Sequence, residues 1–314
     1  MLRTPVRVAR SRFSPAIEGL ERRAVMAGVG AAAEVAVRMV AAQAAEDTPT
    51  PLDQFAPGQT YKGEPGGLYA NGSNAAPQAL LDAVDAAASQ IQPLNSRGRA
   101  AANGRVGVIA IGQSTTNQWF PYFQRLARSK QAEQKAGTFY VNGGQDGQGS
   151  AQWAYGNATW ATLSRRVGSA ARLQVQVLVL DSVQYYPQNA GRVQALANSY
   201  SGQLATIVAR AKRAYPNLKL VYALPYHWAG AASANKTVTE PGGYELQFGT
   251  RQLVTTQSYN QPVTARGPEI WAQTRNPALY YDGVHFTTQG RQTMAEITYG
   301  FLKADRAAAR WLFR

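Results

Sequence analysis

Residues 106–118 read VGVIAIGQSTTNQ. The run from Val106 to Ile111 is apolar and rich in β-branched residues, without alternation. That predicts a central strand covered on both faces. Gly112 closes the run, and Ser114 falls where the strand gives way to the next helix. In an open α/β sheet that edge is where sites are built. The rest of the sequence is therefore read for groups that can partner Ser114.

Downstream, Gln118–Lys135 predicts a helix, with Trp119, Phe120, Phe123, Leu126 and Ala127 at helical spacing. Pro121 then falls in its first turn, where a missing amide donor is tolerated. Thr138–Asn142 reads as a short strand running into the loop GGQDGQG. Ala151–Val167 reads as one helix with Trp153 and Trp160 in the core. Gln174–Leu180 is a second strong strand, Arg192–Ala214 a long helix and Leu218–Leu224 a further strand. Pro225–Gly242 is a long loop, Tyr244–Tyr259 a helix, Leu279–Tyr281 a short strand and Thr287–Leu302 the last helix. Strands alternating with helices predict an α/β fold, a three-layer α/β/α sandwich with a mainly parallel sheet.

Upstream, three parts are expected. Residues 1–50 are read as a basic tail rich in arginine and alanine, either export-linked or disordered. Ala27–Ala45 has helical potential but is too polar for a membrane span. Residues 51–103 form a wrapping arm, with TYKGEPGGLYANGSN read as arm rather than strand pair, followed by a helix over Ala79–Ile91 that Pro93 ends. Residues 104–314 form the main domain.

Composition narrows the chemistry. The chain has 314 residues, no cysteine and only two histidines, His227 and His285. A disulfide framework and a thiolate or histidine-rich metal site are excluded, and neither a metal nor an organic cofactor is expected. Any histidine base is one of those two. The formal net charge is +14, which raises binding to an anionic polymer. The basic residues are spread, with no stripe interleaved with aromatics, so nucleic acid is not expected as partner.

Ser114 finds its best partners in YYDGVHFTTQG, residues 280–290. Asp282 and His285 stand three apart, with Gly283 permitting a sharp turn. Such a turn places the carboxylate on one ring nitrogen and leaves the other for Ser114. The carboxylate then fixes the tautomer, the imidazole takes the serine proton, and the serine attacks a carbonyl. An acyl-transfer serine also needs donors for the oxyanion. Asn142–Gly149 offers backbone amides, or is simply a glycine-rich turn; the Gly-Lys-Ser/Thr ending of a phosphate loop is absent. Tyr185, Tyr186, Tyr226, His227 and Trp228 follow strand ends, where they either contact a substrate such as a sugar ring or cap the core. Asp181 also ends a strand, and in a paired-carboxylate glycosidase it would need a second carboxylate nearby. Glu240 and Glu245 are read as surface residues.

The order of these pieces resembles the SGNH hydrolase superfamily, the GDSL-like esterases and lipases. Gly112-Gln113-Ser114 matches the Gly-Asp-Ser nucleophile block except at Gln113. Asn142 through Gly147 matches Asn-x-x-x-x-Gly, and Asp282 with His285 matches Asp-x-x-His. The resemblance implies Gly147 as a backbone oxyanion donor beside the amide of Ser114. The block that gives an asparagine donor is absent from VLVLDSVQYYP, and Gln184 is its nearest equivalent. More of the chain, Thr60 to Ala304, resembles uncharacterised secreted bacterial SGNH-like proteins. RSRFSPAIEGLERRAVMAG, residues 10–28, resembles the N-terminal export segment of planctomycete proteins. Together these imply a secreted or envelope serine esterase acting on an acyl ester, O-acetylated carbohydrate among the candidates. A fold-retaining, inactive carbohydrate-binding or envelope protein is the alternative. The oligomeric state is open.

Overall fold

The computed structural model describes residues 37–39, 50–185, 192–225, 243–260, 262–272, 277–282 and 284–314. Nine strands and eight α-helices follow in chain order among the described residues. The strands are β1 (Val37–Met39), β2 (Thr60–Tyr61), β3 (Glu64–Pro65), β4 (Val106–Gly112), β5 (Thr138–Asn142), β6 (Val175–Asp181), β7 (Leu220–Ala223), β8 (Val263–Arg266) and β9 (Ile270–Ala272). The helices are α1 (Gln78–Ser89), α2 (Ser114–Ser129), α3 (Ser150–Tyr155), α4 (Ala158–Val167), α5 (Val193–Ala214), α6 (Gly243–Thr256), α7 (Thr288–Ala304) and α8 (Arg306–Trp311).

Five strands form one parallel sheet in the order β5-β4-β6-β7-β8. Every residue of β4 and β6 is buried, as an apolar run without alternation requires when helices cover both faces. One group of helices in mutual contact is α1, α2, α7 and α8; the other is α3, α4, α5 and α6. The fold is the expected three-layer α/β/α sandwich. The chain leaves β4 for β5 on one side, while β6 lies on the other. That places the topological switch point between the C-terminal ends of β4 and β6, where Gly112 pairs with Asp181.

Several local expectations are corrected. Helix α2 starts at Ser114, not Gln118, and ends at Ser129. Pro121 therefore lies in the helix interior and has no amide for the carbonyl of Asn117. The side chain of Asn142 donates to that oxygen instead, at 3.2 Å, so the helix tolerates a residue that would otherwise break it. The buried face of α2 carries Trp119, Phe120 and Phe123. Each contributes about 2–3 kcal/mol by burial, which offsets the poor helix propensity of the first turn.

The single helix expected over 151–167 is two, because Gly156 adopts an extended conformation between them. Trp153 and Trp160 are nonetheless core residues, packed edge to face at 5.4 Å. The arm does contain a strand pair, β2 with β3, of two residues each. It closes over α6, and this buries Glu245, which was expected at the surface. Glu245 accepts from Tyr61 Oη at 3.4 Å and lies 3.6 Å from Lys62 Nζ. Residues 279–281 form only an isolated bridge, Tyr280 to Phe286. Strand β8 was not expected; its four residues are too few to show a period. In the tail, Val37–Met39 is a strand paired in parallel with β9 rather than part of a helix. Gly283, Tyr186, Tyr226, His227, Trp228, Glu240 and most of the tail lie outside the described residues.

Candidate active site

Three loops converge on the switch point, and each is shaped by its own sequence. The first is the turn into α2. A Cβ on Gly112 would stand 1.9 Å from the carbonyl oxygen of Asp181 and 1.9 Å from Thr116 Oγ1. Only glycine lets β4 turn this tightly against β6. The carbonyl of Gly112 is fixed by Gln145 N–H at 3.1 Å and Trp153 Nε1–H at 3.0 Å. Ser114 is thus the first residue of a sixteen-residue helix. Its amide has no intrahelical acceptor, and the positive end of the helix dipole lies at its backbone.

Asp181 holds this turn from below. Its Oδ2 accepts from Trp119 Nε1 at 2.8 Å and Thr116 Oγ1 at 2.8 Å. The carboxylate is 2% exposed. It is committed to α2 and is not the free partner a carboxylate-pair glycosidase would need. Burial first, and then the charge of Asp181, push the hydroxyls of Tyr200 and Tyr280 well above the usual tyrosine range. Both stay neutral beneath the site. Gln113 is buried and donates to Thr115 Oγ1 at 2.7 Å.

The second loop joins β5 to α3. Glycines 143, 144 and 149 are required by close approach: their Cβ atoms would meet Ala110 O at 2.3 Å, Asn117 N at 2.3 Å and Val183 O at 2.7 Å. Asn142 Oδ1 accepts from the Gly144 amide at 2.9 Å, and Asn117 Nδ2 donates to Asp146 Oδ1 at 3.0 Å. Gln148 N–H donates to Gln145 O at 3.1 Å, closing a turn in which Gly147 has φ +72°. That is the third position of a type II turn, which demands glycine. Gly147 is exposed, has nothing within 4 Å of its would-be Cβ, and its amide makes no hydrogen bond among the described residues.

The third loop precedes α7. Leu279 O accepts from Thr287 N–H at 2.9 Å, and His285 O accepts from Tyr281 N–H at 3.0 Å. Asp282 Oδ1 accepts from the amides of Val284 at 3.0 Å and His285 at 2.7 Å. This aspartate turn presents Asp282 Oδ2 to His285 Nδ1 at 2.6 Å. The other ring nitrogen, Nε2, lies 2.9 Å from Ser114 Oγ. All three side chains are partly exposed. Burial acts to raise the Asp282 pKa, but the two amides and the imidazole outweigh it, so its carboxyl sits below the usual range. With Nδ1–H donating to a carboxylate, Nε2 is the free acceptor for the serine proton.

The structure thus brings Ser114, His285 and Asp282 into one hydrogen-bonded chain. It does not bond Gln184 to them. The Gln184 amide reaches Ser199 Oγ at 3.5 Å, and its Oε1 is buried without a partner among the described residues. Tyr185 is partly buried, with its ring against Gly149. Asn142 and Asn117, which build the Gly147 turn, were not foreseen in these roles; the interior proline was the available signal. Among the described residues, no group of three His, Cys, Asp or Glu side chains is placed to hold a metal ion. No described helix is long and apolar enough to cross a membrane.

No family model matches the sequence, and no curated protein matches it. Several solved structures are similar to parts of the chain. A protein from Arabidopsis thaliana is 14% identical over 58% of this chain and 66% of its own, with a TM-score of 0.36. The C-terminal catalytic domain of Streptococcus pneumoniae peptidoglycan O-acetyltransferase A is 12% identical over 66% of this chain and 95% of its own, with a TM-score of 0.38. A gut microbial diltiazem-metabolizing enzyme is 14% identical over 69% of this chain and 48% of its own, with a TM-score of 0.41. The functional reading rests on the site rather than on these likenesses.

Proposed function

We propose that the protein is a serine-dependent ester hydrolase of SGNH type. The observation that carries this is the chain Ser114 Oγ to His285 Nε2 at 2.9 Å and His285 Nδ1 to Asp282 Oδ2 at 2.6 Å. A serine hydroxyl is a poor nucleophile alone, and this arrangement is what activates it.

In the proposed reaction, Ser114 Oγ bonds to the ester carbonyl carbon as its proton passes to His285 Nε2. The carbonyl π pair moves onto oxygen. The amides of Ser114 and Gly147 receive that oxyanion, helped by the N-terminal end of α2. Gln184, three residues past Asp181 on the same sheet edge, supplies a third donor by turning its amide away from Ser199. The 3.5 Å contact it gives up is long for a hydrogen bond. The tetrahedral adduct then collapses: the bond to the alcohol oxygen breaks and His285 returns its proton to that oxygen. Water, deprotonated by His285, cleaves the acyl-serine and restores both groups. Asp282 stays ionised throughout and stabilises the imidazolium.

The substrate class is an acyl ester, with O-acetylated carbohydrate of the cell envelope as the specific candidate. Tyr185, His227 and Trp228 are proposed contacts for it. The second reading, a non-catalytic binding protein, draws on the Gln184 contact with Ser199. An ester panel separates the two. The hydrolase reading expects turnover that Ser114→Ala abolishes; equal background rates for wild type and Ser114→Ala across the panel would refute it.

A further inference from the structure

Tyr281 stands out beside the site. Among the described residues only Tyr155 and Tyr281 are large hydrophobic side chains left exposed, and Tyr281 is 57% exposed. Its ring lies nearly parallel to the imidazole of His285, at 5.7 Å between centroids and 15° between planes. It is not a loose surface residue. Its amide is bonded to His285 O, and the flanking Tyr280 and Phe286 are buried and packed together at 5.0 Å. The loop therefore holds an open aromatic face in a fixed place next to the proton-transferring ring.

The chemistry says which part of a substrate meets that face. His285 protonates the leaving alcohol oxygen, so that oxygen must come within hydrogen-bond reach of Nε2. The carbonyl oxygen lies on the other side, toward the Ser114 and Gly147 amides. Whatever is attached to the alcohol oxygen thus leaves the site beside His285, and the exposed ring stacked next to that imidazole is Tyr281. An aromatic face fixed at low conformational cost favours a flat or ring-shaped apolar surface.

Resting on the esterase reading, we infer that Tyr281 is the platform of a leaving-group subsite and selects esters of cyclic alcohols over open-chain ones. A pyranose and an aryl ring share the required face. The test compares kcat and KM for the acetates of a methyl pyranoside, phenol and n-hexanol, in the full chain, for wild type, Tyr281→Phe and Tyr281→Ala. Variant-to-wild-type ratios cancel the intrinsic reactivity of each alcohol. The expected result is a rise in KM of about tenfold for the cyclic esters in Tyr281→Ala, a clearly smaller rise for n-hexyl acetate, and recovery in Tyr281→Phe. A larger effect on the pyranoside than on phenyl acetate marks a sugar subsite, and the reverse an aryl one.

A second readout separates a subsite from mere support of His285. Breakdown of the acetyl-enzyme uses His285 but no longer involves the alcohol. The inference expects that rate to stay within about twofold in Tyr281→Ala, while a supporting role would slow it as much as acylation. Ser114-dependent turnover with equal losses on all three acetates overturns the inference alone. Absence of Ser114-dependent turnover in the wild type overturns the esterase reading and the inference together.

Discussion

Asn142 donates its side-chain amide to the carbonyl oxygen of Asn117, the oxygen that Pro121 leaves without its helical partner. The same amide group reaches Asn117 Oδ1 at 3.2 Å, while Asn142 Oδ1 holds the amide of Gly144. One side chain thus mends the helix that carries Ser114 and starts the loop that carries Gly147. Asn142→Ala should cost about 1–3 kcal/mol, the usual penalty for groups left unpaired. If Gly147 receives the oxyanion as proposed, the variant should also lower kcat more than it raises KM, because that amide loses its fixed place. Urea denaturation and steady-state kinetics check both. Unchanged stability and kcat would contradict this account of Asn142.

Gly112 and Gly147 are required for different reasons, and their alanine variants should differ. At Gly112 the new methyl meets a backbone carbonyl and Thr116 Oγ1, each at 1.9 Å. The β4–β6 pairing or the start of α2 must shift, with a loss of about 4 kcal/mol or more. At Gly147 there is open space but a φ of +72°, so the cost is about 1–2 kcal/mol. Thermal or urea denaturation of the two variants gives the order. A Gly147→Ala protein less stable than Gly112→Ala would contradict it.

Asp181 is a support rather than a reacting group. Asp181→Ala leaves the buried Trp119 N–H without its acceptor, costing about 1–3 kcal/mol, while the Thr116 hydroxyl keeps the backbone carbonyl of residue 181 at 2.9 Å. Asp181→Asn keeps an acceptor oxygen, and its ester turnover should stay within about tenfold of wild type. A reacting carboxylate would lose activity in both variants alike, and the kinetic comparison distinguishes the two cases.

Asp282 has its folded-state pKa below the ordinary value of 3.8. For such a group the folded state binds its proton less readily than the unfolded chain does. Its stabilising contribution is present above the ordinary carboxylate range and is lost as pH falls through the depressed folded value. The stability difference between wild type and Asp282→Asn should therefore be constant near neutrality and shrink as the solution is acidified below about pH 4. Activity in Asp282→Asn should fall about 10³–10⁴-fold at neutral pH, because the wrong imidazole tautomer is favoured. A stability difference that widens on acidification would contradict the pairing.

Much of the fold was legible because β4 and β6 are long apolar runs, and such runs report burial on both faces directly. Asp282 and His285 were legible as a pair because an aspartate turn is a local event, encoded within four residues. Their meeting with Ser114 was inferred from strand ends, from the scarcity of histidine and from the order of the SGNH-like blocks, and the fold supplies the distance. Other features were hidden because they depend on contacts far apart in sequence. The start of α2 at Ser114 rests on Asp181, whose carboxylate satisfies Thr116 and Trp119 across the β4–β6 boundary. Pro121 signalled a first turn by its propensity, but Asn142 overrides that signal. Glu245, beside a glycine pair, was read as a surface residue and is buried by an arm more than 180 residues earlier in the chain. The place of Tyr281 against the His285 ring had no sequence signal, because it follows from the shape of the loop around His285.

The central claim is that Ser114 forms the bond to the acyl group. Rapid mixing of the full chain with p-nitrophenyl acetate, acid quenching and peptide mapping by mass spectrometry tests it most directly. The account predicts an acetyl group on Ser114 during turnover, no such adduct in Ser114→Ala, and sharply slowed formation in His285→Ala. Sustained turnover with Ser114 unmodified, or persisting in Ser114→Ala, would contradict it.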